Sequence, residues 1–186
     1  TPIEAVSREN GAWVKPVGQP LQHFDAVVFA CHSDQALRLL ADADRDERRV
    51  LGAIRYAPNR VILHDDPSVM PQRRSCWGSW NYKGRSDHVS VTYWMNRLQD
   101  LPDDVPLFVT LNPERPIPQG RIFNETVMDH PVFEHSAIAA QADLQRIQGQ
   151  RSTWFCGAYT RYGFHEDGLL SAVKVANSMG VQPQWA

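Results

Sequence analysis

Cysteines are few in this chain and lie far apart. The 186 residues include three, Cys31, Cys76 and Cys156, and no Cys-x-x-Cys pair occurs. An odd number at this spacing favours neither a disulfide framework nor a zinc site. The apolar runs before Cys31 and Cys156 are typical of small buried thiols. We therefore expect a reducing, cytoplasmic compartment.

The sequence also lacks an excess of charge and any long apolar run. There are 19 lysine and arginine residues against 21 aspartate and glutamate residues, a formal net charge of −2. This balance predicts no nucleic-acid partner and no attraction to an anionic membrane surface. No apolar run is long enough to cross a bilayer, so no transmembrane segment is expected. Neither feature bears on the oligomeric state.

Common catalytic motifs are missing as well. The chain contains no GxGxxG, P-loop, HExxH or GxSxG pattern. Its seven histidines show no spacing typical of metal ligands, so we expect no metal site. The catalytic residues are therefore unknown from motifs alone.

Hydrophobic periodicity predicts a mixed α/β (α+β) fold. Strands are expected in residues 2–30, including a buried run over 24–30, and later at 61–63, 88–98, 106–111 and 121–128. A break is expected at Pro58-Asn59. Helices are expected over about 34–41, after Asp44, over 133–147 and over 168–179. This order favours a largely antiparallel sheet with flanking helices.

One predicted strand alternates regularly between apolar and polar residues. Val89, Val91 and Tyr93 fall on one face, and Ser90 and Thr92 fall on the other. Such alternation is typical of a half-buried antiparallel strand.

The most informative segment lies near the carboxyl end. An apolar strand-like run, 153–156, precedes a loop that contains Gly157 and Gly163, and a helix is predicted to begin near Gly168. The start of a helix offers unpaired N–H groups and a partial positive charge, which suit an anionic or electron-rich ligand edge. Glycines let a flat ligand approach the backbone closely.

This segment resembles the C-terminal flavin-contacting segment of the flavin-containing amine oxidase superfamily. Residues 25–30 resemble a strand of that superfamily, and residues 79–82 and 112–113 resemble features of a bacterial branch of NAD/FAD-binding proteins. The Rossmann unit with which family members begin has no counterpart in the chain. The resemblance therefore implies the C-terminal portion of a bacterial FAD-dependent oxidoreductase.

The resemblance also implies a division of roles along the chain. Residues 1–55 and 150–186 correspond to part of an FAD-binding domain, and residues 56–149 correspond to a substrate domain. FAD would be held by the full-length parent, and this fragment alone is expected to be inactive. The implied reaction transfers a hydride to flavin from an amine or from a bulky apolar, lipid-like small molecule. Relatives in the superfamily desaturate or isomerise lipid-like and tetrapyrrole molecules.

Two sets of site residues follow from the resemblance. The cofactor-binding set is Gly157, Tyr159, Gly163, His165, Glu166, Asp167, Gly168 and Leu169. The substrate-lining set is Trp77, Trp80, Tyr82 and Tyr162. The backbone N–H groups of residues 167–169 are expected to face the pyrimidine end of the flavin.

Several alternatives stay open at the level of sequence. His165 can face a ligand or cap the helix, Gly168 can serve only as a tight entry to the helix, and each aromatic residue can belong to packing. For the whole chain, one alternative is a non-catalytic binding or assembly module that does not hold FAD by itself. Another is an unrelated α+β domain.

Overall fold

Two long strands, β5 (Arg55–His64) and β9 (Ile122–Val132), connect two parts of the chain that form separate units. The first unit is Thr1–Tyr56 with Pro131–Ala186, and the second is Ala57–His130. The structure, a computed structural model, describes residues 1–85 and 88–185. Its helices and antiparallel sheets confirm the predicted fold class. The assignment of one unit to cofactor and the other to substrate stays a prediction.

The first unit combines a three-stranded antiparallel sheet, a two-stranded parallel sheet and helices. Its elements are β1 (Ile3–Ser7), β2 (Ala12–Pro16), β3 (Gln22–Phe24), β4 (Val27–Phe29), α1 (Ser33–Leu39), α2 (Arg45–Gly52), α4 (His135–Ile147), β10 (Thr153–Phe155) and α5 (His165–Ser178). The apolar run 24–30 was predicted as one strand, but it contributes to two. The reason is that β3 pairs antiparallel with β2, whereas β4 pairs in parallel with β10.

The core of the first unit forms where α2 and α4 pack. Helix α2 begins at Asp44, whose side chain accepts the Glu47 N–H at 2.8 Å while the Glu47 side chain accepts the Asp44 N–H at 2.9 Å. This reciprocal cap is the one that the sequence predicted. Phe29 of β4 and Phe155 of β10 stack with ring centroids 5.5 Å apart. In the described part of the chain, no helix has both the length and the hydrophobicity to cross a membrane.

The second unit is built on a five-stranded sheet, to which β5 and β9 contribute. Its other elements are β6 (Trp80–Arg85), β7 (His88–Trp94), α3 (Met95–Leu98) and β8 (Phe108–Leu111), and the strand order is β6-β7-β8-β5-β9. The predicted break at Pro58 is wrong, since β5 runs through it. The ladder between β5 and β8 covers only Val61–His64, so Pro58 lies where that ladder needs no N–H donor.

Candidate functional site

The loop that follows β10, residues 156–164, is here called the glycine loop. It contains a 3-10 turn at Ala158–Thr160 and ends at Phe164, the N-cap of α5. The sequence predicted that this helix would begin near Gly168, and the structure shows that it begins three residues earlier, at His165. The cause is Asp167, whose Oδ2 accepts the N–H groups of Tyr162 at 3.2 Å and Phe164 at 3.1 Å. A carboxylate at this position stabilises the first turn.

The earlier start changes which N–H groups at the helix end are open. The N–H groups of Asp167 and Gly168 both donate to the Phe164 carbonyl, at 3.0 and 3.3 Å. They are therefore engaged within the protein. In residues 1–85 and 88–185, the N–H groups of His165 and Glu166 have no acceptor. These two are the unpaired donors at the start of α5.

A second pair of open donors lies beside the first turn of α5. The N–H groups of Ala158 and Tyr159 also lack an acceptor in the described part of the chain. Ala158 contacts the helix, because a Cβ added to Gly168 would stand 3.6 Å from the Ala158 nitrogen. The glycine loop and α5 therefore present four unpaired backbone donors, a set that suits an anionic or carbonyl-bearing ligand edge.

Two of the predicted cofactor-binding residues are engaged in packing. The ring of Tyr159 is 2% exposed and belongs to the core. A Cβ on Gly157 would stand 2.7 Å from this ring, so Gly157 makes room for Tyr159. Burial raises the pKa of the Tyr159 hydroxyl, which is buried without a partner among the described residues.

The outer side of the glycine loop is apolar and exposed. Tyr162 and Phe164 are 68% and 69% exposed, and Leu169 on the first turns of α5 is 45% exposed. His165 and Glu166 are exposed beside them. Gly163, which has a φ of 90°, approaches Phe133 so closely that a Cβ would stand 3.0 Å from that ring. The structure thus brings the whole predicted cofactor set together with Tyr162, although only part of it faces solvent.

Sequence reasoning missed the residues that follow β4. The Cys156 N–H donates to the Phe29 carbonyl at 2.9 Å, so the ends of β4 and β10 are adjacent. After β4, Ser33 donates its N–H to the Tyr56 hydroxyl at 2.9 Å, and the His32 ring stacks on Tyr56 with centroids 4.3 Å apart. The signal that could have located them is the tendency of ligands to bind at the carboxyl ends of parallel strands.

Three titratable groups at these strand ends are held neutral. Burial raises the pKa of the Cys31 and Cys156 thiols and of the Tyr56 hydroxyl. All three groups are therefore neutral near pH 7.

In the second unit, one face of the sheet is apolar and partly exposed. Cross-strand pairing places the following nine side chains on this apolar face: Val61, Leu63, Trp80, Tyr82, Val89, Val91, Tyr93, Val109 and Leu111. Trp80, Tyr82 and Val89 are 55%, 57% and 45% exposed. None of the nine carries a charge.

The opposite face is largely buried, and it combines the apolar side chains of Ile62, Phe108 and Trp94 with polar ones. His64 and Thr110 are fully buried, and Thr92 and Ser90 are nearly so. His64 accepts the Asp66 N–H at Nδ1, at 3.1 Å, so its Nε2–H donates to the Thr110 hydroxyl at 2.8 Å. The Thr110 and Thr92 hydroxyls are 3.0 Å apart. Burial lowers the pKa of His64, which keeps the imidazole neutral.

Strand β7 is thus inverted relative to the usual alternation of an antiparallel strand. Alternation of this kind normally places the apolar face inside and the polar face in water. Here Ser90 and Thr92 are buried, while Val89 is exposed. These polar groups tolerate burial because they are hydrogen-bonded within the protein.

Trp77 does not join the other predicted substrate-lining residues of this unit. Its indole N–H donates to the Pro71 carbonyl at 2.8 Å, and its ring packs edge-on against Trp94 and Phe108. Trp94 and Phe108 side chains lie on the buried face, so Trp77 covers that face. Trp80 and Tyr82 are neighbours on the apolar face, with centroids 6.4 Å apart.

Comparisons with known proteins identify similar folds. No protein-family model matches the chain, and no curated protein matches its sequence. A CLA-producing fatty acid isomerase from P. acnes is similar in structure, with a TM-score of 0.66 and 17% identity over 96% of this chain. A protein from Exiguobacterium sp. 255-15, provisionally assigned as a protoporphyrinogen oxidase, has a TM-score of 0.57 and 15% identity over 96% of this chain. The chain spans 47% and 46% of these two structures, about half of each, and shares their fold over that half.

Proposed function

We propose that the chain is the C-terminal portion of an FAD-dependent oxidoreductase of the amine oxidase type, and that its substrate is a bulky apolar molecule. The observation that carries the proposal is the apolar face of the second unit, where Trp80, Tyr82 and Val89 are exposed although polar residues of the opposite face are buried. The fold likeness supports the enzyme class, and the names of both similar proteins specify large, mostly apolar substrates.

The donors of the glycine loop fit a flavin. The pyrimidine ring of a flavin has two carbonyl oxygens and gains negative charge on reduction. The N–H groups of Ala158, Tyr159, His165 and Glu166 would hold such an edge and stabilise that charge. The bound flavin would supply the hydride acceptor. Gly157 and Gly163 would act indirectly, since their open sides are filled by Tyr159 and Phe133.

The small parallel sheet fits a partial FAD-binding domain. It consists of β10 and β4, and no further strand pairs with the other edge of β4 in the described residues. A dinucleotide-binding βαβ unit would supply a parallel strand for this edge. The exposed Val28 at the centre of β4 would then be covered.

The apolar face favours an apolar substrate over an amine. A buried protonated amine is stabilised by an acidic partner, and none of the nine side chains of the apolar face is a carboxylate. Each Å² of apolar surface that a ligand covers contributes about 25 cal/mol. Trp80 and Tyr82 offer the largest exposed rings for such contact.

The cofactor assignment is tested by a visible absorbance spectrum. The product of the complete reading frame is purified and compared with this 186-residue chain, each with and without added FAD. Flavin bands in the longer product and their absence from this chain are expected, because half of the site lies in the dinucleotide-binding unit. No flavin in either sample contradicts the proposal and favours a non-catalytic binding module.

The substrate class is tested by titrating the protein with oleate and, separately, with benzylamine. Binding is monitored by tryptophan fluorescence. Trp80→Ala and Tyr82→Ala should each weaken oleate binding by about tenfold, since each removes a large contact surface. Trp185→Ala is the control, because Trp185 is 69% exposed and belongs to the first unit. If benzylamine binds and reduces flavin while oleate does neither, the apolar substrate is excluded.

A further inference from the structure

Helix α4 contacts the glycine loop through two glutamine side chains that lie seven residues apart. Gln141 is in the middle of α4, and Gln148 is the residue that caps its end. Seven residues are two helical turns, so both side chains project from the same side of the helix.

Gln148 closes the outer edge of β10. Its amide carbonyl accepts the Phe155 N–H at 2.9 Å, and its amide nitrogen donates to the Phe155 carbonyl at 2.7 Å. The N–H and C=O of one strand residue point to the same edge, and a neighbouring strand would normally pair with both. The Gly149 N–H continues this edge by donating to the Thr153 carbonyl at 2.8 Å. Side-chain and loop groups therefore replace a strand at the point where the glycine loop begins.

Gln141 fixes the direction of the carbonyls further along the loop. Its amide nitrogen donates to the Tyr159 carbonyl at 3.0 Å and also to the Arg161 carbonyl. The Gly157 carbonyl accepts the Thr160 N–H, and the Ala158 carbonyl accepts two N–H groups of the loop. Four carbonyls of the loop are thus satisfied within the protein.

The consequence is a turn whose peptide groups are held in direction while two of its N–H groups stay unpaired. The C=O of one residue shares a peptide group with the N–H of the next, so the Gly157 and Ala158 carbonyls, which accept loop N–H groups, fix the N–H groups of Ala158 and Tyr159. Gln148 binds the Phe155 carbonyl before this turn and Gln141 binds the carbonyls of Tyr159 and Arg161 at its end, so the two glutamines hold the turn from both sides. The N–H groups of Ala158 and Tyr159 are those without an acceptor in the described residues. Two consecutive unpaired N–H groups suit an electron-rich ligand edge.

We propose that Gln141 and Gln148 are positioning residues, which hold the glycine loop in the conformation that presents its N–H groups to the cofactor. This inference rests on the proposed function for the identity of the ligand. The conformational part concerns only residues of this chain, and it can be measured without flavin.

The test uses Gln141→Glu and Gln148→Glu, which keep the size of the side chain and replace its donor with an acceptor. A carboxylate at either position faces a backbone carbonyl, so the hydrogen bond is replaced by repulsion. Gln145→Glu is the matched control, since it makes the same change of charge on α4 at an exposed residue whose side chain has no hydrogen bond to another described residue. Gln141→Met, which adds no charge, is a second variant for the case that Gln141→Glu does not fold.

Hydrogen exchange of residues 156–164 in the 186-residue chain is the first measurement. We expect exchange in the Gln141 and Gln148 variants to be about tenfold faster than in the unchanged protein, with far-UV circular dichroism unchanged. The control should match the unchanged protein. Equal exchange in all variants overturns the proposal, and so does faster exchange across the whole unit, which would indicate a purely structural role.

Flavin binding by the product of the complete reading frame is the second measurement. The Gln141 and Gln148 variants should bind FAD about tenfold more weakly and shift its absorbance bands, while Gln145→Glu should do neither. Faster loop exchange with unchanged FAD affinity overturns the positioning role. If the unchanged protein binds no FAD, the proposed function fails together with this cofactor role, although the exchange result still decides whether the glutamines hold the loop.

Discussion

The ring of Tyr159 fills the space that a side chain on Gly157 would occupy. A Cβ at residue 157 would stand 2.7 and 2.9 Å from two atoms of that ring, and Gly157 has a φ of 154°. Both the contact and the backbone conformation therefore require glycine. The relationship couples the start of the glycine loop to the core, because Tyr159 packs in the main apolar cluster of the first unit.

Gly157→Ala should therefore lower the free energy of unfolding by about 1–3 kcal/mol, since the ring has to move and the backbone is strained. Gly168→Ala is the matched control. A Cβ there meets the Ala158 nitrogen at an ordinary 3.6 Å, and replacing a helical glycine stabilises by up to about 1 kcal/mol. Urea denaturation measures both, and equal effects would contradict the packing described for Tyr159.

Arg8→Met should destabilise the first unit strongly. The Arg8 side chain is inaccessible to solvent and pairs with Glu47, whose side chain is 1% exposed. Removing one partner of a buried ion pair costs about 3–5 kcal/mol, because the remaining charge is buried alone. Adding Glu47→Leu to the variant should recover part of this loss.

The control for Arg8 is Arg38→Met, which breaks an exposed pair with Asp34. Exposed pairs contribute about 0–1 kcal/mol, so little change in the urea midpoint is expected. A loss of less than about 1 kcal/mol for Arg8→Met would show that the buried pair contributes no more than this surface pair.

Acid should destabilise the second unit through His64. Burial holds its pKa below the usual 6.5, so below about pH 6.5 the unfolded chain binds a proton that the folded protein does not. The free energy of unfolding then falls as pH falls, by at most about 1.4 kcal/mol per pH unit, until the lowered pKa is reached. His64→Gln should remove this component. Urea melts of both proteins between pH 7 and pH 5 measure it, and parallel pH profiles would disprove the assignment.

Asp167→Ala should fray the start of α5. It removes the acceptor of the Tyr162 and Phe164 N–H groups, and losing such a cap costs about 0.5–2 kcal/mol. Asp167→Asn should retain most of the stability, since its amide oxygen still accepts. The measurement is thermal unfolding of both variants, and an Asn variant as unstable as the Ala variant would show that the charge outweighs the hydrogen bonds.

Sequence patterns that span only a few residues predicted the caps and helix faces that depend on neighbouring residues. The α2 cap at Asp44 and Glu47 depends on residues three apart, and the apolar stripe of α4 depends on spacings of three and four. The mixed fold class follows from the order of such elements. Strand β6 was not predicted, so the positions of Trp80 and Tyr82 beside each other on one face became evident only from the structure.

The sequence did not predict the features that depend on contacts between residues distant along the chain. The start of α5 moved to His165 because Asp167 reaches back to the N–H groups of the loop before it. The approach of Tyr56 to Ser33 requires two segments that are 23 residues apart. The role of Gln141 likewise depends on carbonyls about twenty residues away.

By itself, the sequence determined that β7 has one apolar and one polar face, since strand residues alternate with a period of two. It did not determine which of them is buried, because that period is identical for either orientation. Only the tertiary structure decided this. Trp77 packs against Phe108 on the buried face, where the side chains of His64, Thr110 and Thr92 are hydrogen-bonded to one another. Val89, Trp80 and Tyr82 are left at the surface.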